Sequence, residues 1–347
     1  MKTSIQAISY YLPEKILTNA DLVREFGTWT ESKILKKTGI IERHVVTDEI
    51  VSDIAVKAAE KLFIENNIRK EEIDFLILCT ECQDYFLPAT SCVVQGRLGL
   101  REDMGAYDIN LGCSGFIYGL ATAKGLISAG LAENVLFITA DTITRTIHPM
   151  DKSTRTLFGD AAAATLITKS DIDGVLDFAF GTRGSGMDRL IIPAGAWAVP
   201  SSEETRIEVV NQWGNVRTKE NLYMDGPEIM NFTLDVAPKM LEEILVKNNM
   251  KLDDINYVVL HQASLMLLEK LRDALNIPEE KFFINIQTKG NTASCTIPLA
   301  LRDMQTQGLL EEGDKILIMG FGVGLSYAGT IINWMVKCKG QELGDRD

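Results

Sequence analysis

The segment Glu65–Cys79, ENNIRKEEIDFLILC, returns as Lys247–His261, KNNMKLDDINYVVLH, 182 residues further along the chain. Each copy reads as the end of an amphipathic helix, a polar turn and a buried strand. One strand ends in Cys79 and the other in His261. Repetition at this distance is the mark of two like-folded halves, and more pairs support it. ENVLFITA (133–140) parallels GDKILIMG (313–320), and AAATLI (162–167) parallels YAGTII (327–332). The offset shrinks between those two pairs, so the first half carries a longer insertion between its strands, around DTITRTIHPMDKSTRTLFGD (141–160).

GCSGFIYGLATAKGLISAGL (112–131) aligns with GNTASCTIPLALRDMQTQGL (290–309). Cys113 thereby falls on Asn291, each after a glycine at a strand-to-helix junction. Pro298 predicts that the second helix starts slightly later. Both helices are small-residued and apolar on several sides, which suits a layer buried between two sheets. The expected fold is α/β, in five layers α-β-α-β-α, with two pseudo-twofold-related halves, 1–172 and 173–347. Residues 184–223 read as an irregular insertion, and the polar tail KGQELGDRD (339–347) is expected to fray.

The formal net charge of −13 argues against nucleic acid or an anionic membrane as partner. No apolar run reaches spanning length and no signal peptide opens the chain, so a cytoplasmic protein is expected. Six scattered cysteines fit reduced thiols. CTEC (79–82) has CxxC spacing without a second pair, and a metal or redox role is the lesser reading.

Ligands gather where strands end and helices begin in such sheets. Cys113, His261, Asn291 and the loop GFGVGLS (320–326) all fall there. Singly, each has a plain structural reading: core filler, hydrogen-bonded histidine, helix cap, turn. The repeat brings the first three to one side of a symmetric core. A helix N-terminus favours a thiolate, which can take an acyl group from a thioester. The backbone N–H groups of Cys113 and Val323 suit an oxyanion hole. His261 and Asn291 suit a second carbonyl, as in an enolate.

DINLGCSGFIYGL, LHQAS, KGNTAS and GFGVGLSYAGTIINW, with LPEKILTNADL, KKTGIIERH and TLFGDAAAATLI, resemble the motifs of the β-ketoacyl-acyl carrier protein synthase III family, within the thiolase-like condensing enzymes. The resemblance spans nearly the whole chain. It implies a homodimer with no metal or resident cofactor, whose substrates are acyl and malonyl thioesters on the phosphopantetheine of acyl carrier protein or coenzyme A. Cys113 takes the primer; His261 and Asn291 stabilise the carbanion equivalent left when malonyl loses carbon dioxide; Phe321 shields the site. The alternative on the same scaffold is an acyltransferase that forms an ester or amide, or joins two acyl chains. A non-catalytic partner subunit would lack the three residues.

Two positions depart from the family pattern. Lys33 stands where a tryptophan is usual, and Lys152 where an arginine is usual; in the family that pair sandwiches adenine. Two lysines cannot, so acyl carrier protein is expected to deliver the primer. Lys33, Lys36, Lys37 and Lys152, with Lys270 and Arg272, are candidates for a local basic patch at the entrance. Leu87 replaces the phenylalanine that the family inserts into the partner's acyl tunnel, so a primer longer than acetyl is expected.

Overall fold

The structure is a computed structural model that describes residues 1–336; Cys338 and the tail 339–347 lie outside the described residues. Strands that must be buried on both faces read as continuous apolar runs, and FLILC shows what this achieves. Leu76 and Leu78 pack with the outer helices of the first sheet, while Ile77 and Cys79 face the middle layer. The two-residue period of a strand divides the run between two cores.

The first sheet has the order Lys2–Tyr11, Ala161–Ser170, Asn134–Asp141, Phe75–Cys79, Gly105–Ile109. The second has the order Ala179–Thr182, Ser326–Asn333, Lys315–Gly322, Tyr257–Leu260. Read in this sense, the strand directions match pair by pair: antiparallel, antiparallel, then parallel. The first sheet adds one more parallel strand. Its counterpart in the second is a lone parallel bridge, Val258 to Phe282, at the place where Leu76 pairs with Ala106. Between the last two strands, residues 142–160 intervene in the first half and only 323–325 in the second.

Helix Val51–Asn66 covers the outer face of the first sheet, burying Val51, Ile54, Ala55, Ala58 and Leu62 at helical spacing. Helices Gly226–Lys247 and Leu265–Ala274 cover the outer face of the second. Between the sheets lie Gly115–Ser128 and Thr296–Thr306. The second begins late, after a 3-10 turn at Ala293–Cys295. Pro298 then falls in its first turn, where no N–H is needed. The insertion is less irregular than its composition suggests. Leu190–Ile191 pairs with Tyr223–Met224, and Val209–Val210 with Val216–Arg217.

The middle layer is tight because helix Gly115–Ser128 carries glycine where the first sheet presses closest. A Cβ on Gly119 would lie 2.1 Å from Phe137 Cζ, and that ring is stacked on Phe116 at 5.7 Å. Gly119→Ala is therefore expected to destabilise the protein by about 1–3 kcal/mol through overpacking. Equilibrium urea unfolding checks it: the midpoint falls while the slope is unchanged.

Candidate active site

Cys113 is buried in the turn between strand Gly105–Ile109 and helix Gly115–Ser128. The second half reaches it through glycines. A Cβ on Gly320 would lie 2.6 Å from the Cys113 carbonyl oxygen. A Cβ on Gly322 would lie 2.8 Å from Cys113 Cβ and 3.3 Å from its sulfur. Only bare Cα atoms allow this strand to run beside the thiol. The seam is pinned by hydroxyls: Ser326 Oγ donates to the Val323 carbonyl at 2.8 Å, and Ser114 Oγ lies 2.7 Å from Ser326 Oγ. With the Ser326 proton so used, Ser114 is the donor between them. The Val323 N–H has no acceptor among the described residues. The Cys113 N–H faces its own sulfur.

His261 follows strand Tyr257–Leu260, and its backbone N–H donates to the Met319 carbonyl at 2.8 Å. Its Nδ1 is 2.7 Å from Thr296 Oγ1. That hydroxyl is 3.4 Å from the Ala293 carbonyl, so its proton goes to the closer ring nitrogen. Nε2 is left protonated, as a donor. Burial pushes the imidazole pKa down to about 3, so the ring is neutral across the physiological range.

Asn291 sits in the Lys289–Thr292 stretch, tied to the first half by its N–H to the Leu157 carbonyl (2.9 Å) and its carbonyl to the Gly159 N–H (3.0 Å). Its Oδ1 accepts the Ala293 N–H at 3.0 Å. The amide oxygen is thus occupied, and Nδ2 is the free, donating end. Ala293 holds φ +49°, a left-handed conformation rare for a residue with a side chain. Next to it, the Ser294 hydroxyl and N–H both donate to Asp141, whose other oxygen accepts the Glu81 N–H at 2.8 Å. Burial raises the Asp141 and Glu81 carboxyls above the usual range, and the Asp141 charge raises Glu81 further.

The electrostatics differ from the sequence expectation in one respect. Burial first, then Glu81 and Asp141, push the Cys113 thiol well above its ordinary value. Whatever the helix start contributes, desolvation outweighs it, and the resting Cys113 side chain is a neutral thiol.

The remaining expected residues scatter. Phe321 is buried in the outer cluster that also holds Ile143 and Phe158, on a strand whose flanking glycines face Cys113. Leu87 is 87% exposed and faces away from its own chain's core. Lys33, Lys36 and Lys37 are exposed on helix Glu31–Thr38, with Lys33 and Lys37 at 4.6 and 5.0 Å over the Trp29 ring. Lys152 does not join them: it is buried beneath the Val209–Arg217 ribbon, 3.5 Å from where a Gly214 Cβ would be. Lys270 meets the Met230 sulfur and Arg272 pairs with Glu279. The five described cysteines are free, and Cys79 donates to the Leu111 carbonyl at 3.0 Å rather than pairing with Cys82. Sequence reasoning passed over Thr296, Ala293 and Ser294. Their chemistry is legible only once the loop's path is known; the one available sign was a run of small polar residues after Asn291.

Two like-folded sheets packed on a shared layer of helices, with a buried thiol, a neutral imidazole and an oriented amide at the ends of their elements, define a thiolase-like acyl-transferring enzyme. The family 3-oxoacyl-[acyl-carrier-protein (ACP)] synthase III matches residues 107–184, and its C-terminal part matches 245–334. A β-ketoacyl-[acyl-carrier-protein] synthase III of Fusobacterium nucleatum subsp. nucleatum is 36% identical over 333 residues, covering 95% of this chain and 98% of its own. A crystal structure of a 3-oxoacyl-(acyl-carrier-protein) synthase III superposes with TM-score 0.94 at 43% identity, covering 96% of this chain and 100% of the other. The Aquifex aeolicus enzyme of that name gives TM-score 0.83 at 32% identity, with 96% and 100% covered. The chain belongs to the β-ketoacyl-acyl carrier protein synthase III family.

His261 remains neutral in the folded state down to about pH 3 but ionises near pH 6.5 when unfolded. Between those values the unfolded chain binds the extra proton, so this residue's contribution to stability is lost as pH falls. His261→Asn is expected to flatten the acid slope of the thermal midpoint over that window relative to the wild type. Parallel melts at stepped pH provide the comparison.

Proposed function

We propose that the enzyme condenses an acyl primer, carried as a thioester on Cys113, with a malonyl thioester on acyl carrier protein. Carbon dioxide leaves and a 3-oxoacyl thioester forms. The observation that carries the reading is the pair of fixed donors, the Nε2 of a neutral His261 and the Nδ2 of Asn291. Both have their other polar atom engaged. An enolate oxygen needs donors that do not first give up a proton. A histidine with its pKa near 3 is unsuited to act as the base of a hydrolase or of ester formation.

In the first stage the Cys113 thiol attacks the primer thioester. Its proton leaves with the departing carrier thiol, and the Cys113 and Val323 N–H groups hold the oxyanion. Because the thiol is neutral at rest, this stage gains from rising pH. In the second stage, His261 and Asn291 hold the malonyl thioester carbonyl while the carboxyl departs. The resulting carbon nucleophile attacks the acyl-cysteine, the carbon–sulfur bond breaks, and the departing Cys113 thiolate takes a proton from water to return to the thiol.

Acyl carrier protein, rather than coenzyme A, is the primer donor in this reading. Lys152 is buried, and the Trp29 face is occupied by the chain's own lysines, so no open aromatic–arginine clamp for adenine is formed from these positions. Lys33, Lys36 and Lys37 supply local positive charge on a chain of net charge −13. A homodimer is supported by the edge of strand Gly105–Ile109 and by exposed Tyr85, Phe86, Leu87 and Trp197. Leu87 from one copy would then bound the acyl tunnel of the other and leave depth for a primer longer than acetyl. Among the described residues no helix is long and apolar enough to cross a membrane. The cytoplasm is the compartment proposed for the enzyme and its carrier.

His261→Ala and Asn291→Asp are each expected to keep Cys113 acylation, seen as a mass shift of the intact protein, and to lower carbon dioxide release from malonyl carrier by about 10²–10³-fold. Thr296→Val should follow them in a milder form, and Thr296→Ser should restore the rate. Equal loss of both stages would refute the division of labour. In parallel, acyl carrier is expected to label Cys113 faster than the matching acyl-coenzyme A, with rates rising from acetyl to medium chains. A coenzyme A preference, or an acetyl optimum, overturns the donor or tunnel reading respectively.

A further inference from the structure

Glu81 lies inside the Cys79–Cys82 motif, between two cysteines that share no partner, and the mechanism above gives it no task. Its carboxyl rests on Gly112, the residue before the nucleophile. A Cβ on Gly112 would sit 2.0 Å from Glu81 Oε2 and 3.1 Å from Oε1. The bare glycine is what lets a carboxyl group come this close to Cys113.

The neighbouring Asp141 accepts the Glu81 N–H, the Thr80 hydroxyl, and both the N–H and O–H of Ser294. The Glu81 carboxyl itself has no hydrogen-bond partner among the described residues. Asp141, with its four donors, is the better placed of the two to hold the negative charge. Burial and that charge push Glu81 upward, which favours its protonated form. The residue is only half-buried, so part of it stays open to an incoming group. A protonated carboxyl presents one O–H donor and one carbonyl acceptor to whatever enters. An alkyl chain can satisfy neither, and a polar wall left unpaired discriminates strongly against the ligand that leaves it so.

We propose that Glu81 is a specificity residue, selecting acyl primers that carry a hydroxyl or oxo group within the first few carbons of the thioester. The proposal rests on the reading that Cys113 is the acylated nucleophile. Glu81 acts here by hydrogen bonding alone, and no bond to it forms or breaks.

The test compares butyryl and 3-hydroxybutyryl groups on the same acyl carrier protein, following Cys113 acylation of the full chain by intact mass. The wild type is expected to take the hydroxyacyl group at least about 10-fold faster. Glu81→Leu should erase the preference by accelerating butyryl transfer, and Glu81→Gln, which keeps a donor and an acceptor, should retain most of it. Equal or faster labelling by butyryl in the wild type overturns the proposal without needing any variant to fold, and leaves the condensing reading intact. Persistence of the preference in Glu81→Leu also overturns it. A stronger preference for a 4-aminobutyryl group would show an ionised carboxylate and overturn it as well. Failure of every primer to label Cys113 overturns both this proposal and the proposed function.

Discussion

The close approach of the Gly320–Gly322 backbone to Cys113 is the constraint on which the site depends. It requires two glycines at alternate positions of one strand, facing the first half, at separations that no Cβ would allow. Everything nearby is arranged around that seam. Ser114 and Ser326 join across it, the Met319 carbonyl on the same strand fixes the His261 backbone, and the Val323 N–H follows directly after it. A strand shifted by one residue would turn Phe321 toward the thiol and close the site.

The second organising feature is how charge is kept off the reacting centre. Cys113 and His261 are both neutral at rest, for the same reason: burial disfavours the ionised form of either. Opposite shifts, up for an acid and down for a base, thus give one outcome. The carboxylate charge in the neighbourhood is concentrated on Asp141, where four donors hold it. Its role in the fold is mechanical as well, since it ties the turn after Phe75–Cys79 to the loop that carries Asn291.

Much of this was legible in the sequence because it is repeated. A strand such as FLILC is ambiguous alone, but its echo in YVVLH fixes both as strands and aligns His261 with a known junction. The same register aligned Asn291 with Cys113 and gave the late start of the second central helix from Pro298. What stayed hidden depends on how loops fold back. Lys152 looked like an entrance cation because nothing in its neighbourhood announces that residues 209–217 will cover it. Thr296 reads as an ordinary helix residue until the 3-10 turn at Ala293–Cys295 brings its hydroxyl to His261. Glu81 was overshadowed by the cysteines on either side of it. The thiol's ionisation is not legible either, because a helix start is visible in sequence whereas the protein volume that strips water from it is not.

The depth of the thiol has a further consequence. Cys113 is only 7% exposed, and its surroundings are locked between two sheets that share one packed interior. Such an interior does not part like a jaw to admit a bulky donor. Whatever reaches the sulfur must therefore be slender enough to pass between side chains that hardly yield.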